Sequence, residues 1–314
     1  MTAADLLLGR ADVLAAAERI AGEVHRTPLL TSPVLPGLLF KAEHLQRGGS
    51  FKARGAANAV LATAAPEIVT GSSGNHGIAV ASIGRTLGRR VRVVMTAAAS
   101  EAKERAIRRL GARVTRVDGG VADRDRYAKA LAARTGAVFV PSSDHELVIA
   151  GQGTVGLEVF EDAPDLDAVF VPTGGGGLLA GVCLAAAGLA RPVRIVGVEP
   201  AGARRYARSL ALGRPVEVPP CDSVADGLRG QRPGEVILPI VRSRVDELLG
   251  VTDAEIVRAQ GLLRRAGIAA EPTGAVALAG ALRSGLPGRT GRTAVIVSGG
   301  NTAAALAEAL NLTP

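Results

Sequence analysis

The chain has 314 residues, 47% apolar and 21% charged, the composition of a globular protein with ample material for a core. Its net charge of +8 raises the question of a polyanion partner, but the basic residues are scattered among acids, as from Glu101 to Arg109. Aromatic residues make up 2% and tryptophan is absent, so the stacking platforms of a nucleic-acid binder are missing. Two cysteines, Cys183 and Cys221, have neither zinc-module nor disulfide-framework spacing, and a reducing cytoplasm is expected.

In chain order, Asp5, Arg10, Asp12, Glu18 and Arg19 interrupt any signal-peptide core. Glu67 to Thr70 reads as a strand, His76 to Leu87 as a helix and Val91 to Met95 as a strand. Ser100 to Leu110 is a helix with Ser100 at its cap and Gly111 as its stop. Val114 to Val117 is a strand, Ala122 to Arg134 a helix and Val138 to Val140 a strand. A second series follows: a helix at Gly153 to Phe160, a strand at Ala168 to Val171, a helix at Leu178 to Leu189 and a strand at Val193 to Val198. Pro219 to Pro233 reads as a long loop. Helices at Asp253 to Ala266 and Gly274 to Arg283 precede a strand at Thr293 to Val297. The uncharged run from Ala168 to Ala190 is long enough to cross a bilayer, but Pro172 and four glycines interrupt it, so no membrane span is expected. The alternation predicts an α/β fold: a large domain from residues 1–41 and 143–314, a small one from 42–142, and a ligand cleft between them.

Four lysines stand among 37 basic residues, and one of them, Lys52, lies in Gly49-Ser50-Phe51-Lys52-Ala53-Arg54-Gly55. A free ε-amine forms an imine with an aldehyde, whereas a guanidinium does not. Alone, the tripeptide Ser-Phe-Lys equally describes a surface lysine lying along an apolar ring. Thr173-Gly174-Gly175-Gly176-Gly177-Leu178 joins a strand to a helix and can turn backbone N–H groups toward a phosphate, although a tight structural turn is the alternative. Its spacing fits neither the dinucleotide fingerprint nor the P-loop. Ser72-Ser73-Gly74-Asn75-His76 offers hydroxyls and an amide at a helix start, where an ordinary cap is equally consistent. Ser298-Gly299-Gly300-Asn301 follows the last strand. A phosphorylated aldehyde with a hydroxyl, bound beside an amino-acid carboxylate, satisfies all four segments, and pyridoxal 5'-phosphate is such a molecule.

These motifs resemble the fold-type II pyridoxal-phosphate family of threonine and serine dehydratases, which includes serine racemases. The resemblance runs from Arg26-Thr27-Pro28-Leu29 through Ile149-Ala150-Gly151-Gln152-Gly153-Thr154 and Glu271-Pro272-Thr273-Gly274 to Ser298-Gly299-Gly300-Asn301. It implies two open twisted α/β domains with the cofactor in the cleft. Lys52 is then the Schiff-base lysine and Phe51 packs beside the ring. Asn75 holds the phenolic oxygen, Gly174, Gly175, Gly176, Gly177 and Leu178 hold the phosphate, and Ser298 faces the ring nitrogen. Ser72, Ser73, Gly74, Asn75 and His76 grip the substrate carboxylate. The implied activity is conversion of a β-hydroxy-α-amino acid to a 2-oxo acid and ammonia, with Lys52 removing the α-proton. Ser73, the residue type found in serine racemases, can be a second acid/base, so amino-acid racemase is the alternative. A catalytically silent cofactor-binding protein is the alternative of another class.

Two departures from the family pattern stand out. Arg205 occupies the position of the second acid in the divalent-metal site of serine racemases, so no metal is expected, and Arg205 is expected to pair with Glu199. Ser142 and Arg229 differ from the usual residues near the pocket mouth: either they admit a substrate with a second anionic group, or they are a neutral change of packing and a surface arginine. No regulatory domain is expected after Pro314. A homodimer is the default assembly.

Overall fold

Apolar runs such as Ile68-Val69 and Ala168-Val169-Phe170-Val171 are buried on both faces of parallel sheets. The structure, a computed structural model, describes residues 8–285 and 291–306. Asp5 and the C-terminal Pro314 lie outside them. The chain runs α1 (Arg10–Arg19), β1 (Leu29–Leu30), β2 (Leu38–Ala42), α2 (Lys52–Leu61), β3 (Glu67–Gly71), α3 (Asn75–Thr86) and β4 (Arg90–Thr96). It continues with α4 (Glu101–Arg109), β5 (Arg113–Val117), α5 (Val121–Thr135), β6 (Val138–Phe139), α6 (Glu146–Asp162), β7 (Leu166–Pro172) and α7 (Gly177–Ala185). Then come β8 (Arg194–Pro200), α8 (Arg205–Ala211), α9 (Ile237–Arg244), β9 (Glu247–Val251), α10 (Asp253–Arg265), α11 (Pro272–Arg283) and β10 (Arg292–Val297).

Two sheets organise these elements. The larger has the order β1-β2-β10-β7-β8-β9, the smaller β5-β4-β3-β6. All pairs are parallel except β1 with β2. Alternation along each strand sends side chains to both faces. In the small sheet, Ile68, Val93 and Met95 pack with Ile78 and Ile107, while Val69 and Val94 meet Ala128 and Leu131 of α5. In the large sheet, Val169 and Ile296 pack with α6, α7 and α9, while Phe40, Phe170 and Val295 pack with α10 and α11. The parallel strands β3, β7 and β10 deliver three of the four singled-out segments at their C-terminal ends, the usual ligand-binding side of an open α/β sheet.

The expected strands and helices are present, with shifted ends. Lys52 is the first residue of α2. The helix read from Gly153 begins at Glu146, and that read to Leu189 ends at Ala185. Gly151, Gly153 and Gly156 obscure the α6 pattern, but they serve close packing. A Cβ on Gly151 would stand 2.6 Å from the Arg54 carbonyl oxygen of α2. A Cβ on Gly181 would stand 2.5 Å from the Gly153 nitrogen, so α6 and α7 meet backbone to backbone.

Gly181→Ala is therefore expected to destabilise the fold by about 1–3 kcal/mol or more through forced separation of α6 and α7. Gly261→Ala in α10, where a Cβ meets nothing within 4 Å, is expected to stabilise by about 0.5–1 kcal/mol. Denaturant midpoints of the two variants check the opposite signs.

Candidate active site

Lys52 is placed by α2 and by the turn before it. The Phe51 N–H donates to the Ser298 carbonyl (3.1 Å), the Gly300 N–H donates to the Gly49 carbonyl (3.0 Å), and Ser50 bridges to Gly299. These bonds tie the lysine turn to the loop after β10. Lys52 Nζ donates to the Ser142 carbonyl at 2.5 Å and lies 4.9 Å from the centroid of the Phe51 ring. Burial pushes its pKa down to about 8, leaving a usable fraction of free amine near neutrality. Ser142, expected at the pocket mouth, thus reaches the lysine through its carbonyl.

The glycine loop closes the next side. Gly176 has φ +89°, a left-handed conformation that favours glycine. A Cβ on Gly174, Gly175, Gly176 or Gly177 would collide with Leu228 (2.6 Å), Ser143 Oγ (2.3 Å), Tyr206 Oη (2.2 Å) or Gln152 Oε1 (2.5 Å), respectively. Tyr206 Oη donates to the Gly175 carbonyl (2.7 Å) and accepts from the Gly234 N–H (3.1 Å). Leu178 sends its side chain into the core, so only its backbone, at the start of α7, is available to a ligand.

Arg205 corrects an expectation. It makes no ion pair with Glu199; both are buried and each is held by backbone. Arg205 Nη1 donates to the carbonyls of Ala203 (2.9 Å) and Leu228 (3.1 Å), and Nη2 to that of Thr173 (3.5 Å). Glu199 accepts from the N–H groups of Tyr206 (3.0 Å) and Ala207 (3.1 Å). The start of α8 reaches the carboxylate first, because residues 206 and 207 present free N–H groups to it. Arg229 Nε donates to the Ser223 carbonyl at 2.8 Å.

The segment Ser72 to His76 leads into α3. Ser72 Oγ accepts from the Gly74 N–H (3.3 Å). Ser73 Oγ accepts from the Thr96 N–H (3.2 Å) and lies 3.3 Å from Thr96 Oγ1. The His76 ring turns inward, with Nε2 3.2 Å from the Val140 carbonyl. Burial, then the nearby Lys52 charge, pushes its pKa down to about 3, so the ring is neutral. Its backbone at the helix start, rather than its ring, is what can meet a carboxylate.

Ser298 is buried, with Oγ 3.5 Å from the Thr273 carbonyl oxygen. Two residues without a role in the sequence reading complete this corner. Asn75 Nδ2 donates to Glu271 Oε1 (2.5 Å), and Asn301 Nδ2 donates to Asn75 Oδ1 (3.0 Å). Both lie in motifs visible in the chain, Glu271-Pro272-Thr273-Gly274 and Ser298-Gly299-Gly300-Asn301, but only the fold shows that they meet Asn75.

The donor set fits pyridoxal phosphate. Four crowded glycines line a helix start, a desolvated amine stands nearby, and buried Ser50 Oγ and Gln152 Oε1 have no protein hydrogen-bond partner among the described residues. The family of pyridoxal-phosphate dependent enzymes matches residues 20–299. The chain belongs to that family, and pyridoxal phosphate is its cofactor. A serine racemase of Oryza sativa subsp. indica is 38% identical over 298 residues, covering 90% of this chain and 88% of the racemase. An L-threo-3-hydroxyaspartate ammonia-lyase of a Pseudomonas species is 39% identical, covering 92% and 94%. A solved T.th. threonine deaminase structure superposes with a TM-score of 0.85 at 41% identity, covering 94% and 99%.

The depressed Lys52 pKa has a measurable sign in the cofactor-free protein. Below pH 8 burial of the ammonium opposes folding in full, and the penalty is relieved as pH rises from about 8 toward the ordinary 10.5. The cofactor-free protein is expected to gain about 3 kcal/mol over that interval relative to Lys52→Met, which lacks this term. Urea midpoints of both proteins across pH 7–10.5 check the difference.

Proposed function

We propose that this enzyme is a hydroxy-amino-acid ammonia-lyase, converting a β-hydroxy-α-amino acid to a 2-oxo acid and ammonia. The observation that carries the reading is the half-buried Lys52 amine with its lowered pKa, on a turn tied to the loop after β10. Lys52 is the cofactor lysine, with Phe51 beside the ring. Asn75 donates to the phenolic oxygen and the backbone of Gly174 to Leu178 cradles the phosphate. Ser298, a neutral hydroxyl, faces the ring nitrogen. Ser72, Ser73, Gly74, Asn75 and His76 form the carboxylate seat at the start of α3. Residues 42–142 are the small domain that carries this seat.

When bound, pyridoxal phosphate supplies an electron sink that acidifies the α-carbon of the amino acid. The protein does the rest. The α3 start fixes the carboxylate, and the free Lys52 amine takes the α-proton. Water is lost across Cα–Cβ, and hydrolysis then yields the 2-oxo acid and ammonia. The relatives acting on threonine and 3-hydroxyaspartate support this reading, and the Pseudomonas enzyme supports 3-hydroxyaspartate as a substrate to test.

Racemisation is the second reading, supported by Ser73 and by the rice serine racemase. We also propose a cytoplasmic homodimer. The support is the pair of free cysteines and the prevalence of two-fold assemblies. Among the described residues no helix is long and apolar enough to cross a membrane.

Incubation with L- and D-serine, L-threonine and 3-hydroxyaspartate, following both 2-oxo acid and enantiomer ratio, tests the assignment. More 2-oxo acid than inverted amino acid is expected; mostly D-serine from L-serine reverses the ranking. Borohydride is expected to fix the cofactor on the peptide containing Lys52, and Lys52→Ala to lower turnover by at least about a hundredfold. Capture on Lys41, Lys103 or Lys129 refutes the lysine assignment.

We further propose that activity needs no divalent metal, because the Arg205 guanidinium already occupies the carbonyls of Ala203, Leu228 and Thr173. Turnover is expected to survive exhaustive chelation. Loss on chelation with recovery on added magnesium contradicts this.

A further inference from the structure

The side-chain amide of Asn75 has two nearly isosteric orientations, one presenting N–H and the other C=O to the ligand side. Only the N–H can donate to a phenolic oxygen. The structure holds the amide from two directions. Glu271, the residue before α11, accepts from Asn75 Nδ2 at 2.5 Å. Asn301, beyond β10, donates from Nδ2 to Asn75 Oδ1 at 3.0 Å and to the Gly48 carbonyl at 2.7 Å. Rotating the Asn75 amide by half a turn would set oxygen against oxygen at Glu271 and N–H against N–H at Asn301.

The pair is itself fixed. The Glu271 N–H donates to the Gly299 carbonyl at 3.1 Å. A Cβ on Gly299 would stand 2.6 Å from Glu271 Oε1 and 3.2 Å from Asn75 Nδ2, so the contact requires glycine there. A Cβ on Gly49 would lie 2.2 Å from Asn301 Oδ1. Glu271 and Asn301 are 3% and 9% exposed, so water cannot readily replace either bond.

We propose that Glu271 and Asn301 are positioning residues that lock the Asn75 amide with its N–H toward the cofactor, and that Glu271 transmits its own charge state to the cofactor through that amide. This rests on the Lys52 and Asn75 reading above. Two charges act on Glu271: Lys103 of α4, and Asp226, which is paired with Lys103 at 2.5 Å. Burial raises the Glu271 pKa to about 7, Asp226 adds to the rise, and Lys103 and the Asn75 bond oppose it. As pH rises through neutrality, a carboxylate therefore forms 2.5 Å from the amide that faces the cofactor.

The test compares holoprotein and cofactor-titrated protein for wild type, Glu271→Gln, Asn301→Ala, Asn75→Ala and the double variant Glu271→Gln/Asn75→Ala. Wild type is expected to show a step near pH 7 in the visible absorbance of bound cofactor, and Glu271→Gln to lose it. Glu271→Gln and Asn301→Ala are each expected to weaken pyridoxal-phosphate binding, read by fluorescence, on the order of tenfold. In the Asn75→Ala background, Glu271→Gln is expected to cost nothing further. Unchanged affinity and an unchanged pH step in Glu271→Gln overturn the proposal, as does an equal loss with and without Asn75. If Asn301→Ala fails to fold, Glu271→Gln alone decides. A wild type with no borohydride-sensitive lysine signal refutes the Lys52 reading instead, so the two failures are distinguishable.

Discussion

Arg54 is the residue on which the placement of Lys52 depends. It lies two positions after Lys52 on α2 and is fully buried. Its Nε and Nη2 donate to the two oxygens of Glu43, each at 2.8 Å, and its Nη1 and Nη2 donate to those of Glu158 at 2.6 and 2.8 Å. Lys41 reaches the same Glu158 at 2.5 Å and the Thr27 carbonyl at 2.6 Å. Two cations and two carboxylates therefore balance inside the protein. Burial alone would raise the Glu43 pKa, but Arg54, helped by the Thr27 hydroxyl and Lys41, more than offsets it and the group stays ionised. Removing one member leaves its partners charged and buried, a loss of about 3–5 kcal/mol. The network joins β2, α2, α6 and the segment before β1, so the start of α2 has little freedom to move.

The same economy of position governs the rest of the site. Lys52, the Ser72–Asn75 turn, the glycine loop and Ser298 come from four distant parts of the chain. Parallel topology brings three of them to strand C-termini without further help. The fourth, the lysine turn, is not on a strand and is instead stitched to the loop after β10 through Ser50, Phe51 and Gly49. Close backbone approach is the common requirement. Bulk at Gly151 or Gly181 would push α6 off its neighbours, and bulk at Gly299 would part Glu271 from Asn75.

Much of this was readable from the chain. Short β-branched runs alternating with helical stretches predicted the small sheet almost residue by residue, because runs rich in valine and isoleucine between helical stretches have the composition of strands. The glycine loop and the Lys52 turn were visible because each breaks its local pattern. What escaped were the elements whose side chains contradict their burial. Lys41 sits in β2 and Arg54 in α2, where a charge reads as a solvent face. The early start of α6 was hidden by glycines that lower helix propensity yet allow the helix crossings. Glu271 and Asn301 stood in recognised motifs, but their joint hold on Asn75 is a tertiary fact with no local signature.

Arg205 and Glu199 show how far a residue pair can be inferred from spacing alone. Opposite charges six apart, both buried, invite the reading of an ion pair. The fold satisfies them separately: three carbonyls surround the guanidinium, and two N–H groups at the start of α8 hold the carboxylate. Burial pushes the Arg205 pKa down and the Glu199 pKa up, and in each case the other's charge opposes the shift. The two are coupled through the field rather than through contact, which permits them to brace different segments. Glu199 caps α8, which carries Tyr206 against Gly175. Arg205 draws the Thr173 and Leu228 carbonyls together, and Thr173 opens the glycine loop. A neutral residue at 205 would leave those carbonyls buried without a donor and Glu199 without its counter-charge. The loop would then lose its supports from both directions at once. The arginine is therefore best understood as part of the framework that shapes the glycine loop, acting through backbone carbonyls.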